Sequence, residues 1–330
     1  MNVFIGELPP PYGGVTVKDQ LLLNEIYKAS GIKMLDLVEC KRRPYKIPLV
    51  GLKLIWRLLV SKNVIVGVGS QPRCKVILKI RKFLRGKKGL SSLRVMVMGG
   101  NLHNVTKSDA AYRELLKYCG SVWVETEGMV RSLKEQGIEN AKFFPNCRTD
   151  QGSIPPREVG NTPRYVFFSK ICEEKGVDEV FDAMKYSDGR FTVDFYGEVA
   201  ADYKERFKEH LENNPTAIYH GVFNSVNGNV YKELNQYDAM LLPTHYGAEG
   251  VPGALVEAKM AGIAAIVTDC CFNAEIVKDG VEGIVMNEPL GEILCNMPLE
   301  KLMLLKNGAF KSRVRYSIET YRDTLLAEVQ

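Results

Sequence analysis

The chain has no apolar run long enough to cross a bilayer. The longest, Ile47 to Val60, is broken by Lys53 and Arg57 and falls short of the roughly 20 residues a spanning helix needs. Met1 to Gly6 hold no basic segment followed by a long apolar one, so no signal peptide is expected and a strand begins at once. The 8 cysteines are scattered, without a Cys-x-x-Cys pair or a Cys/His cluster. That spacing supports neither a zinc site nor a disulfide framework, and reduced thiols are expected. No Gly-x-Gly-x-x-Gly follows the first strand, which disfavours a dinucleotide oxidoreductase. Internal repeats and low-complexity tracts are also missing, which disfavours solenoids and disordered arms.

What is there is globular: 330 residues, 45% apolar and 25% charged, a natural size for two α/β domains of about 150 residues each. The formal net charge of +5 hides an asymmetry. Residues 1–148 hold 26 of the 44 Lys+Arg but 11 of the 39 Asp+Glu, a charge of +15, whereas residues 149–330 hold 18 and 28, a charge of −10. Halves of opposite sign suit different partners.

Short β-branched runs alternate with helical patterns. In the first half strands are expected at 3–8, 34–38, 64–68, 93–98, 121–125 and 141–145. The helices between them are expected at 16–29, from Pro48 to before Asn63, and at 76–84, 108–118 and 128–136, with Ser108 as the N-cap of the fourth. A stretch rich in Pro, Gly and Arg, 151–163, reads as a linker between a domain at 1–150 and a second at 164–310, with a C-terminal helix at 311–330 packing back on the first. In the second half strands are expected at 165–169, 191–196, 217–220, 239–242, 264–268 and 283–286. Helices are expected at 177–184, 203–213, 231–236 and 252–261. Two β-α-β series imply an α/β fold of two doubly wound, Rossmann-like parallel sheets facing across a cleft, with ligands outside the carboxyl ends of the strands.

The most informative segment runs from Tyr237 to Gly262. A buried strand ends at Pro243, a loop carries Glu249, and Pro252 suits the first position of a helix that carries Glu257 in its second turn. The free amides around Val251, Gly253 and Ala254, at the positive end of the helix dipole, make a seat for an anion, a phosphate above all. Two carboxylates beside it can accept hydrogen bonds from sugar or ribose hydroxyls. Upstream, Lys170 and Lys175 stand just past the end of a strand, and two cations there can clamp a diphosphate and stabilise its charge as it leaves. Gly13 and Gly14 follow the first strand, where paired glycines let the backbone approach a ligand and take unusual dihedrals. His103 follows a buried strand in Gly99-Gly100-Asn101-Leu102-His103.

The pair Glu249 and Glu257, seven residues between them, followed by Ala258-Lys259-Met260-Ala261-Gly262, resembles family 4 of the retaining nucleotide-sugar glycosyltransferases, which have the GT-B fold. Ile266 to Asp269, Ala274 to Gly280 and Gly283 to Val285 are similar to the family's closing elements, and Tyr165 to Asp178 to its "V-G-R-L-x-x-E-K-G" strand and loop. Lys170 stands where the family usually has Arg, and Ser169 where it usually has Gly. The resemblance implies that Glu257 holds the ribose hydroxyls and Glu249 contacts the donor sugar. Amides from Gly250 through Val251 and Pro252 to Gly253 would meet sugar and phosphate, and Gly13, Gly14 and His103 would close on the reacting sugar. It implies a transferase that needs no cofactor and no metal, no Asp-x-Asp pair being present. The donor would be a nucleoside-diphosphate sugar, with uridine favoured over guanosine.

Basic segments interleaved with apolar residues, Cys40 to Lys46, Leu52 to Leu59 and Lys79 to Lys88, suit an anionic membrane face. A cytoplasmic protein docked on the inner face of the cell membrane is therefore expected. Its acceptor would be a lipid-linked or other membrane-bound glycan in bacterial-type surface polysaccharide synthesis. Nucleic acid is not expected, because no stacking motif or known binding module accompanies the cations. A GT-B nucleotide-sugar epimerase and a non-catalytic sugar-nucleotide-binding partner of another transferase are the alternatives.

Overall fold

The computed structural model describes residues 1–10, 13–224, 228–247 and 250–328. The chain forms two compact units: Met1–Arg148 together with the segment from Ile318 onward, and Thr149–Ser317. The first unit contains, in order, β1 (Val3–Gly6), α1 (Gly14–Ser30), β2 (Lys33–Asp36), α2 (Glu39–Arg42), α3 (Ile47–Val60), β3 (Val64–Gly67), α4 (Gln71–Ser91), β4 (Leu93–Met96), α5 (Leu102–Ser108), α6 (Ala110–Lys117), β5 (Ser121–Val124), α7 (Glu127–Glu135) and β6 (Ala141–Phe143). The second contains β7 (Arg164–Phe168), α8 (Val177–Met184), β8 (Thr192–Tyr196), α9 (Lys204–Asn213), β9 (Ile218–Tyr219), α10 (Val230–Leu234), β10 (Ala239–Leu242), α11 (Gly253–Met260), β11 (Ala264–Thr268), α12 (Asn273–Ile276), β12 (Gly283–Met286), α13 (Leu290–Cys295) and α14 (Leu299–Ser312). The last helix, α15 (Ile318–Ala327), returns to the first unit.

Each unit is built on a six-stranded sheet, ordered β2-β1-β3-β4-β5-β6 in one and β12-β11-β10-β7-β8-β9 in the other. Every pairing is parallel. The strand order reverses between β1 and β3 and between β7 and β10, and these are the places where an open α/β sheet opens a crevice at its carboxyl edge. Strands such as Val3-Phe4-Ile5 and Val64-Ile65-Val66 are buried throughout because helices cover both faces, so the apolar run is continuous rather than alternating.

In the first core Phe4, Leu22, Ile65, Met96, Trp123 and Phe144 pack with Ile318 and Leu325 of α15. The chain re-enters this unit through the bond from Ile318 N to Arg148 O, 2.9 Å. The returning helix therefore starts at Ile318 rather than 311; α14 and a 3₁₀ turn at Arg313–Tyr316 come before it. In the second core Phe181 stacks on Phe195, ring centroids 4.7 Å apart.

Several expected boundaries move for local reasons. The helix expected at 108–118 is two helices, and Asp109 rather than Ser108 caps the second, its carboxylate accepting the Tyr112 N–H at 3.0 Å. The helix expected at 76–84 extends over Gln71–Ser91, with a non-helical break at Gly86. The stretch at 151–163 is tied down rather than loose: Ile154 N donates to Met260 O at 2.8 Å, and Asn235 Nδ2 donates to Pro155 O at 3.0 Å.

Candidate functional site

In the second unit the two loops singled out by sequence leave β7 and β10, the neighbours that flank the reversal of strand order. They are tied together. The Glu174 carbonyl accepts the His245 N–H at 2.8 Å and the Thr244 hydroxyl at 3.1 Å. Gly176 has φ +76°, and a Cβ added there would lie 2.0 Å from Pro243 O, so the close approach of the two loops needs glycine. The rim continues into β11 through Thr268, whose hydroxyl donates to Thr244 O at 2.5 Å.

Lys170 is exposed just beyond β7, and Lys175 is half-buried in the 3₁₀ turn that follows, its Nζ 5.1 Å from the centre of the Tyr246 ring. Glu174 sits with them. Its carboxyl is held below the usual carboxylate range by its own backbone amide and the Cys172 thiol, with the charges of Lys170 and Lys175 adding to the effect. The two lysines and Glu174 thus share one short stretch of loop after β7.

Past the loop from β10, Gly250 and Val251 are buried, and Pro252 precedes α11 as its cap rather than opening it, with ψ 121°. The first amides of any α-helix have no intrahelical acceptor. Here Leu255 N turns back to Pro252 O at 3.1 Å, and among the described residues the Gly253 and Ala254 amides meet no acceptor. The helix opens with two donors and the positive end of its dipole. Glu257 lies half-buried one turn on, as the spacing predicts. Glu249 lies outside the described residues.

Gly13, Gly14 and His103 belong to the first unit. Gly13 is the N-cap of α1 with extended backbone, φ −167°, and its N–H and carbonyl both bond the Thr16 hydroxyl at 3.1 Å. A Cβ added at Gly13 or Gly14 would meet nothing within 4 Å. The expectation of unusual dihedrals is therefore corrected, and what the pair provides is an exposed, side-chain-free stretch of backbone. His103 sits in the first turn of α5, the helix that follows β4. Burial, then the Lys107 charge, holds its ring below the usual histidine range.

Sequence spacing missed the groups beneath these residues. Lys18 on α1 reaches Glu125 just past β5 at 2.7 Å, both buried, and the second Glu125 oxygen accepts the Gly99 N–H at 3.4 Å. That pair fixes the turn from which α5 and His103 depart. The partners stand 107 residues apart, so no local pattern could have disclosed them. In the second unit Thr244 and Tyr246 were within the quoted motif but carried no expected role.

Residues 154–295 match the family model described as glycosyl transferases group 1, a segment that includes Lys170, Lys175 and the opening of α11. The matched segment lies within the second unit and covers less than half of the chain. Among solved structures, Anabaena HepE in complex with UDP is similar with a TM-score of 0.75 over 99% of this chain and 98% of that one, at 14% identity. Sucrose-phosphate synthase from Thermosynechococcus elongatus is similar with a TM-score of 0.74 over 98% and 97%, at 10% identity. The lipopolysaccharide outer core galactosyltransferase WaaB is similar with a TM-score of 0.62 over 100% and 94%, at 16% identity. At these identities the likeness carries the fold, which is GT-B. No curated protein sequence matches. Within the matched segment, the stretches that resemble the family motifs are the loops that flank the sheet's switch point.

Proposed function

We propose that the protein is a retaining, metal-independent glycosyltransferase of family 4. In this reading it moves a sugar from a uridine-diphosphate sugar to a lipid-linked glycan on the inner face of the cell membrane, in the synthesis of a surface polysaccharide. The observation that carries the reading is the pairing of two loops from adjacent strands, one bringing Lys170 and Lys175, the other leading into the Gly253 and Ala254 amides of α11, which meet no acceptor among the described residues. A diphosphate is the group that uses two cations and a helix N-terminus together. UDP in HepE and the galactosyltransferase name of WaaB, on the same fold, support the donor class and the glycan acceptor.

In the proposed reaction the bond from the anomeric carbon to the phosphate oxygen breaks, and the electron pair leaves with UDP. Lys170, Lys175 and the α11 amides receive the charge that develops on the departing phosphate. The acceptor oxygen bonds to the anomeric carbon on the face just vacated, and its proton passes to the leaving phosphate. Glu257 would hold the ribose hydroxyls, Glu249 the transferred sugar, and His103 a sugar hydroxyl.

Lys170→Ala tests it, because the side chain is exposed and its loss leaves the fold intact. Turnover should fall by about 10²–10³, the usual loss for one charge-stabilising donor, with the melting temperature unchanged. Product anomers are read by NMR. Inversion of the anomeric centre, or a Lys170→Ala variant as active as the parent, overturns the mechanism, and release of free sugar products without acceptor points to the epimerase alternative.

A further inference from the structure

The helix α3 is turned inside out relative to an ordinary surface helix. Val50 and Leu58 are its buried residues, while Leu49, Leu52, Trp56 and Leu59, spaced three, four and three apart, lie on one face with exposures of 49%, 67%, 60% and 42%. A surface helix normally turns its charged face to water. The only charges on α3 are Lys53 and Arg57. Its orientation is fixed from below by α4. Buried Arg81 donates to the Leu58 carbonyl and, at 3.1 Å, to that of Ser61, while Arg85 donates to the Leu59 carbonyl at 3.1 Å. The apolar stripe faces outward because α4 holds the other side.

The sequence on either side of α3 carries one sign of charge. Residues 40–108 contain 17 Lys+Arg and no Asp or Glu. Carboxylates from outside that stretch reach Lys46, Arg73 and Lys75, but among the described residues Lys53, Lys79 and Lys82 make no ion pair. We infer that the outer face of α3 is a membrane-contact surface that lies in the interface of a bilayer rich in anionic phospholipid. At 14 residues the helix spans about 21 Å, too short to cross and suited to lying flat. Leu52, Trp56 and Leu59 would enter the acyl boundary, and the unpaired lysines would meet head-group phosphates. A nucleic acid offers phosphates but no apolar surface for this stripe, and a second copy would set Lys53 and Arg57 against their own kind.

The inference concerns where the enzyme docks, not what it transfers, and UDP affinity measured alongside separates its failure from that of the proposed function. The full chain is mixed at physiological salt with vesicles of phosphatidylcholine alone or with 30% phosphatidylglycerol. Of the two tryptophans Trp123 is buried, so a blue shift on binding, and quenching by lipids brominated on the acyl chain, reports Trp56. Co-sedimentation is expected with the anionic vesicles, weakened about tenfold or more by Leu52→Glu, with melting temperature and UDP affinity unchanged. Failure to sediment, sedimentation indifferent to Leu52→Glu, or self-association without lipid quenching of Trp56 overturns it; the last would make the occupant a second copy.

Discussion

In the second unit Lys306 on α14 reaches Asp238 at 2.7 Å just before β10 begins, and Lys259 reaches Glu282 at 2.7 Å just before β12. In the first unit Lys18 reaches Glu125 just after β5 ends, and Asp19 lies over Gly6 and Gly67, the last residues of β1 and β3. These buried ion pairs therefore sit at the amino edge of the second unit's sheet and at the carboxyl edge of the first's. Ligands of doubly wound sheets bind outside the carboxyl edge. An ion pair at the amino edge can pin helices but cannot touch a ligand, whereas one at the carboxyl edge sets the floor from which binding loops rise. The second unit leaves its carboxyl edge to an exposed lysine and a helix N-terminus, which suits a ligand that arrives with its own negative charge.

The sharpest test of that contrast is Lys306→Ala. Asp238 also accepts the Arg164 N–H at 2.9 Å, so removing the lysine strands a buried carboxylate between two elements. Stability in urea should fall by about 3–5 kcal/mol, while the fraction that remains folded binds UDP as before. The paired change Lys306→Met with Asp238→Asn should recover most of the loss, since no charge is then left buried. A drop in UDP affinity for the single variant would show that the two edges are not separable.

Lys18→Met probes the other edge. It too leaves a buried carboxylate, at a cost of about 3 kcal/mol, but here turnover should fall as well, because Glu125 holds the Gly99 amide ahead of His103. The KM for the donor should stay unchanged. Adding Glu125→Gln keeps an acceptor for Gly99 and should restore part of the turnover. Loss of stability with kcat intact would leave the pair a structural feature only.

The same contrast explains what could be read in advance. Strands such as 239–242 and 264–268 were legible because burial on both faces makes a continuous apolar run, and the switch points follow from their order. The loops after β7 and β10 were legible because their glycines, lysines and prolines stand within a few residues of a strand end. Helix α14 was not. Its buried face includes Lys306, and its Gly308 reads as a breaker, yet a Cβ added there would lie 1.8 Å from Val281 O, so close packing demands the glycine. The Asp109 cap was hidden by Ser108 beside it, an equally good capping residue. Lys18 with Glu125, and Lys306 with Asp238, join residues far apart in sequence, and spacing carries no record of such pairs.

The mildest expected change is at Asp19, and it turns on sign rather than size. One of its oxygens accepts the Glu7 N–H at 2.7 Å; the other has no hydrogen-bond partner among the described residues and crowds Gly67, where a Cβ would lie 2.2 Å away. Burial pushes its carboxyl well above the usual range, against the pull of the Glu7 amide and Lys18, while Glu7 and Asp36 push the same way as burial. An acid whose folded pKa exceeds its unfolded value of about 3.9 adds stability that is complete below that value and is lost as pH rises through the folded pKa. Asp19→Asn stays neutral at every pH and keeps an acceptor for Glu7. Urea unfolding at stepwise pH from 4 to 8 should show the variant gaining on the parent as pH rises. A difference independent of pH, or one that runs the other way, would mean that Asp19 is ionised in the fold, and the carboxyl edge of the first sheet would then carry a net charge that the strand-end glycines were never shaped to accommodate.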